Sequence, residues 1–162
     1  MTKPASTAAD LLEKILAAGT ALVGVLAVVA IFRGRSEWDH IPVQVWFHLG
    51  FLLIALALTP VMLLRRRGDR LHRVLGWVWA LAMVITAAIS LQVRVINPGH
   101  FSPIHLLSVL VLITVPLLVW RARQHQVAAH RRGVRLVVAG GLVVAGLATF
   151  PPARLLGHWL FG

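Results

Sequence analysis

Apolar stretches of membrane length alternate with short polar ones along this chain. Residues 15–32 contain no charged side chain and are long enough to cross a bilayer at about 1.5 Å per residue. Asp10 stands where a helix N-cap belongs, so the pattern predicts a first span over 10–32, behind a polar tail at 1–9. Gly19 and Gly24 give that span a face of small residues for packing. A mixed-charge loop follows at 33–40.

A second span is predicted over 41–64, with Pro42 suited to its first turn, Pro60 bending it, and Thr59 placed to bond a freed carbonyl. The charged run RRRGDR then marks a turn. A third span covers 71–95, with Trp77 and Trp79 near one end. INPGHFSP reads as a loop whose Ser102-Pro103 opens a fourth span, 102–121. A fifth covers 128–149 and is stopped by Pro151-Pro152. The tail, 150–162, is short, apolar and Trp-bearing, and is expected to lie in the membrane interface. The fold class is therefore an all-α integral membrane protein of one domain with five transmembrane helices, the last four forming a bundle.

Two of these segments are copies of a single pattern. HLGFLLIALALTPVMLLRRRGDRLHRV from His48 and HLLSVLVLITVPLLVWRARQHQVAAHRRGV from His105 each open on His-Leu. Each has Thr and Pro at mid-span, then arginines, then His-Arg. Two tandem hairpins of like topology imply a pseudo-two-fold axis along the membrane normal. Such an axis sets His48 opposite His105, and His72 opposite His130, at two depths of a four-helix bundle.

Composition agrees with a membrane setting: 59% hydrophobic, 13% charged, mean hydropathy +0.84. The formal charge of +11 comes from basic residues at the ends of the apolar runs, where they report topology and anionic headgroups rather than nucleic acid. Twelve Lys and Arg fall in the N-terminal segment, the 65–73 turn and the 121–135 segment; Arg33, Arg35, Arg94 and Arg154 are all that face the other way. This places the N-terminus in the cytoplasm and the C-terminus outside, in an expected bacterial inner membrane. No removable signal peptide is seen. Cys is absent, which excludes disulfides, thiolate metal sites and cysteine catalysis.

Imidazole pairs from facing helices are how bundles hold haem. On His48, His72, His105 and His130, the predicted core resembles that of the di-haem transmembrane cytochromes b of the ascorbate-dependent type. That resemblance implies two b-type haems, one per leaflet, ligated by His48 with His105 and by His72 with His130. Arg73 and Arg131 would then be placed to pair with propionates. RRRGDRLHRVLGW followed by AAHRR also resembles a bacterial family of predicted integral membrane proteins without assigned function, over about residues 45–135.

The function expected from this pattern is transmembrane electron transfer, with a quinol or a redox protein as partner. Each histidine also has a plainer reading. His72 and His130 sit beside arginines as rim groups do, and His105 is close to its helix start. A second hypothesis is therefore a cofactor-free scaffold or accessory subunit, its small-residue faces packed on another copy or on a larger complex. A His-lined metal-ion transporter is a third, weakened because no carboxylate or lysine lies at mid-span. His40, His100 and His158, with Glu37 and Asp39, form a looser set for a surface metal. Gly140, Gly141 and Gly146 of the fifth span are read as packing positions, while Trp46, Trp120 and Trp159 are read as interfacial.

Overall fold

A computed structural model describes residues 9–92 and 104–162, and every regular element among them is helical. In order these are α1 (Leu11–Arg33), a 3₁₀ turn (Gly34–His40), α2 (Val43–Leu64), α3 (Arg70–Ser90), α4 (Ile104–Arg123), α5 (Val127–Val137), a π-helical section (Val138–Val144), α6 (Ala145–Leu147) and α7 (Leu155–Phe161). The first four α-helices are long and apolar enough to cross a membrane. The fifth expected span is a chain of α, π and α sections, and its first turns carry Arg131, Arg132 and Arg135. The end of the third predicted span beyond Gln92, the loop with His100, and the Ser102-Pro103 cap lie outside the described residues.

α1 begins where the sequence says it should. The Asp10 carboxylate accepts the Glu13 N–H at 3.1 Å and Glu13 accepts the Asp10 N–H at 3.1 Å, which satisfies two orphan donors reciprocally. Its buried residues, Glu13, Leu16, Ala17, Thr20, Val23, Ala27 and Ala30, recur every three or four positions and so form one stripe. The opposite side is apolar too: Ile15 is 58% exposed and Phe32 64%. Similar exposure of Leu81 and Ile113 on α3 and α4 makes a lipid-facing exterior, too apolar for water.

Consecutive helices pack side by side from α2 to α5, and α1 closes the ring by packing on both α2 and the π-helical section. The expected four-helix arrangement of the last spans thus becomes a ring of five positions, with α1 seated between the second and the fifth. Small residues let it approach. A Cβ on Gly24 would lie 3.6 Å from Leu56, and one on Gly146 would come within 2.6 Å of Val23. Across the interior, Met83 of α3 reaches Gly141, so this glycine packs side chains as expected. Leu56, Val115, Leu118 and Leu142 fill the rest of the core.

Pro60 withholds a donor from the Leu56 carbonyl. The Thr59 hydroxyl donates to Ala55 instead, at 2.7 Å, and accepts the Trp79 indole N–H at 2.9 Å. Its role is therefore to tie α2 to α3. In the tail, α7 packs on α1 and the 3₁₀ turn, and Trp159 is only 4% exposed. Gly34 makes this possible, because a Cβ there would sit 2.2 Å from the Trp159 ring.

Candidate functional site

The helices place the four repeated histidines near two opposite ends of the ring. The end with Glu13, the 65–70 turn and the 121–135 segment is called here the basic end; the other carries Trp38, Trp46 and Trp159.

His48 lies in the second turn of α2, and its Nδ1 is 3.1 Å from the Thr86 carbonyl on α3. A carbonyl only accepts, so Nδ1 carries the proton and Nε2 keeps its lone pair. His130, in the first turn of α5, repeats this arrangement, with Nδ1 3.0 Å from the Leu118 carbonyl on α4. Tying one ring nitrogen to a carbonyl fixes tautomer and ring orientation, which is the usual support for a metal-ligating imidazole. It is also a plain inter-helix clasp.

His72 is held in the first turn of α3, whose N-cap is Asp69; the Asp69 carboxylate accepts the His72 N–H at 2.7 Å. That bond, then the Arg65 guanidinium, holds the Asp69 carboxyl below its ordinary value. The His72 Nδ1 is buried and has no hydrogen-bond partner. His72 stands eleven residues before Met83, and His130 eleven before Gly141, which Met83 reaches across the interior, so the two histidines lie at a similar depth.

The other pair stands differently. His105 is buried at 5% exposure on α4. Ser108 of the same helix donates to Ser90 of α3 at 3.1 Å, while His48 bonds Thr86, one turn earlier on α3. Counting along both helices puts His105 about 10 Å nearer the tryptophan end than His48, at ~1.5 Å per residue. These two do not share a level.

Arg73 is exposed and donates to the Gly68 carbonyl at 2.8 Å, across the turn that Gly68 makes at φ +83°. Arg131 faces Glu13 and binds it two-pronged, Nε to Oε1 at 2.6 Å and Nη2 to Oε2 at 2.8 Å. Sequence reasoning did not single out Glu13. It is 1% exposed, and it also accepts from Arg67 at 2.5 Å and from Arg135 at 3.2 Å. Asp10 pairs with Arg135 and with Arg131. The Glu13 N–H, then Arg135, keeps the Asp10 carboxyl below its ordinary value. One buried carboxylate thus joins the start of α1 to the α2–α3 turn and to α5.

At the tryptophan end, Trp46 stacks on Trp159 at 6.3 Å and meets Trp38 edge-on at 5.3 Å. Glu37 accepts the Trp159 indole N–H at 3.0 Å, and His158 lies 3.3 Å from the same carboxylate. Among the described residues no three His, Asp or Glu converge as a metal site, which leaves the surface-metal reading without a cluster. His40 and His125 are exposed.

These features define the chain as an all-helical protein with the build of an integral membrane protein. No protein-family model, curated protein or solved structure matches it.

Proposed function

We propose that the chain is a membrane electron carrier that holds b-type haem between imidazoles of different helices. His72 with His130 is the pair this reading rests on, because His48 and His105 stand about 10 Å apart in depth. The observation that carries this reading is the buried, unpartnered Nδ1 of His72, at a depth similar to that of His130, whose own Nδ1 is tied back so that Nε2 remains free. Those two donors come from α3 and α5, as a bis-imidazole site in a bundle requires. When bound, haem supplies reversible one-electron transfer.

The protein's own contribution is orientation. Carbonyls of Leu118 and Thr86 fix the His130 and His48 rings. Arg73 lies one residue from His72 and has donors to spare for a propionate, whereas Arg131 is committed to Glu13. On the distribution of positive charge the basic end is cytoplasmic. A quinol or a redox protein is the expected donor or acceptor.

A cofactor-free scaffold is the second reading. It is favoured by the filled interior, where Met83 meets Gly141, and by the ease with which His48 and His130 serve as clasps. Optical spectra of the purified protein, oxidised and then reduced, with a pyridine haemochrome assay, decide between them. Reduced bands of a six-coordinate b-type haem, lost in His72→Ala and in His130→Ala, are expected. A colourless protein that takes up no added haem would reject the electron carrier and leave the scaffold.

A further inference from the structure

The basic end carries more positive charge than its own carboxylates use. Among its described residues, eleven Lys and Arg face three carboxylates: Asp10, Glu13 and Asp69. Glu13 and Asp10 take Arg67, Arg131 and Arg135, and Asp69 takes Arg65 at 2.5 Å. The α2–α3 turn therefore sorts its arginines. Arg65 and Arg67 turn to carboxylates, while Arg66, Arg70 and Arg73 are exposed and meet no carboxylate among the described residues.

Those three share one short arc of chain. Arg70 and Arg73 are one turn apart on the same side of α3. The bond from Arg73 to the Gly68 carbonyl ties the helix to the turn that bears Arg66. The arc also stands at a defined height. Leu64 ends α2 at 53% exposure, and Leu71 and Val74 begin the exposed apolar face of α3 at 47% and 52%. The guanidiniums thus lie at the boundary between apolar and polar surface, where lipid phosphates sit.

We propose that Arg66, Arg70 and Arg73 form a binding site for the phosphate of an anionic phospholipid headgroup. Guanidinium forks match phosphate oxygens two at a time, and Arg73 keeps most of its five donors for that purpose. The lipid is the occupant, rather than free phosphate, because the site borders the exposed leucines and valine that acyl chains would cover. Where Arg73 serves a haem propionate, Arg66 and Arg70 carry the phosphate site.

The test uses the full chain in phosphatidylcholine vesicles doped with a minor fraction of phosphatidylglycerol, with retained lipid counted by native mass spectrometry. The wild type should retain phosphatidylglycerol over phosphatidylcholine. At about fivefold per guanidinium, R66Q/R70Q/R73Q should lose about 100-fold of that preference, and R66K/R70K/R73K should keep most of it. R33Q/R35Q/R154Q removes the same charge at the other end and should retain the preference. If the glutamine triple is unfolded by circular dichroism, Arg70→Gln alone, at an exposed side chain, should lose about fivefold. Undiminished preference in the folded glutamine variant overturns the proposal. So does an equal loss in the control, which would mean bulk charge, or full displacement of the lipid by inorganic phosphate, which would mean a free-anion site.

Discussion

Replacing Glu13 by Gln should be among the most damaging single changes at a polar position of this protein. Gln keeps the side-chain length and is accepted at the third helical position of a capping box, so the start of α1 is preserved and the charge alone is removed. What is left is a group of three guanidiniums, of Arg67, Arg131 and Arg135, gathered around a neutral amide that is 1% exposed in the wild type. Removing one partner of a buried ion pair costs about 3–5 kcal/mol. The arginine side chains are 19%, 19% and 26% exposed, so water relieves part of the repulsion and the low end, about 3 kcal/mol, applies. For a chain of this size that corresponds to a melting temperature lower by about 6–12 °C. Thermal unfolding in detergent, followed by tryptophan fluorescence, measures it. A double-mutant cycle with Arg131→Gln should give a coupling of at least about 1 kcal/mol, since the two side chains share two bonds. Additivity within about 0.5 kcal/mol, or a shift under about 2 °C, would refute the view that Glu13 locks the first helix.

Gly34→Ala should drive Trp159 off the 3₁₀ turn at a cost of about 1–3 kcal/mol, seen as a red-shifted emission and a protease-sensitive tail; unchanged emission would count against the packing described. Gly146→Ala, which meets Val23, should destabilise by a similar amount, whereas Gly140→Ala, with nothing within 4 Å, should stabilise by about 0.5–1 kcal/mol; both are read from melting curves, and the reverse order would sink the account. Asp69 gives a pH dependence of known sign. Its folded value lies below the ordinary 3.8, so its contribution is complete above that pH and is lost as pH falls through the folded value. Asp69→Asn should therefore flatten the fall in melting temperature as pH drops below about 4, and an unchanged slope would remove Asp69 from the acid response. Trp79→Phe should cost about 1 kcal/mol by removing the indole bond to Thr59, and Thr59→Val together with it should cost little more by the same melting assay.

The apolar runs and their punctuation located α1 to α4 because a span must satisfy its backbone internally and present hydrocarbon to lipid, both of which are local demands. The cap at Asp10 was legible for the same reason. Glu13 was not singled out. Its second task depends on Arg67, Arg131 and Arg135 arriving from distant parts of the chain, and no spacing rule encodes that. The arginines themselves were read as topology signals, which hid the division between those that meet carboxylates and those that do not. The repeat drew attention to the four histidines, but equal spacing along two hairpins did not fix equal depth. The Ser90–Ser108 bond sets the stagger of α4 on α3, and with it the separation of His105 from His48. The packing of Trp159 on Gly34 was not legible, because the space beside Gly34 exists only once α1 and the 3₁₀ turn are in place.

The seat of α1 between the second and fifth positions of the ring has a consequence for biogenesis. This helix is made before the other positions of the ring, yet one wall of its seat is made after them. Its carboxylate meets Arg67 after 54 residues but Arg131 only after 118. At about 5–20 residues per second, Glu13 waits roughly 6–24 s for its two-pronged partner. During that interval the newborn helix is held by α2 and one arginine alone, and the ring shuts when the final segment slides in. Closure of the ring therefore waits on synthesis of the fifth position, and a ribosome stalled before Arg131 would leave an open, four-position intermediate for a quality-control protease to find.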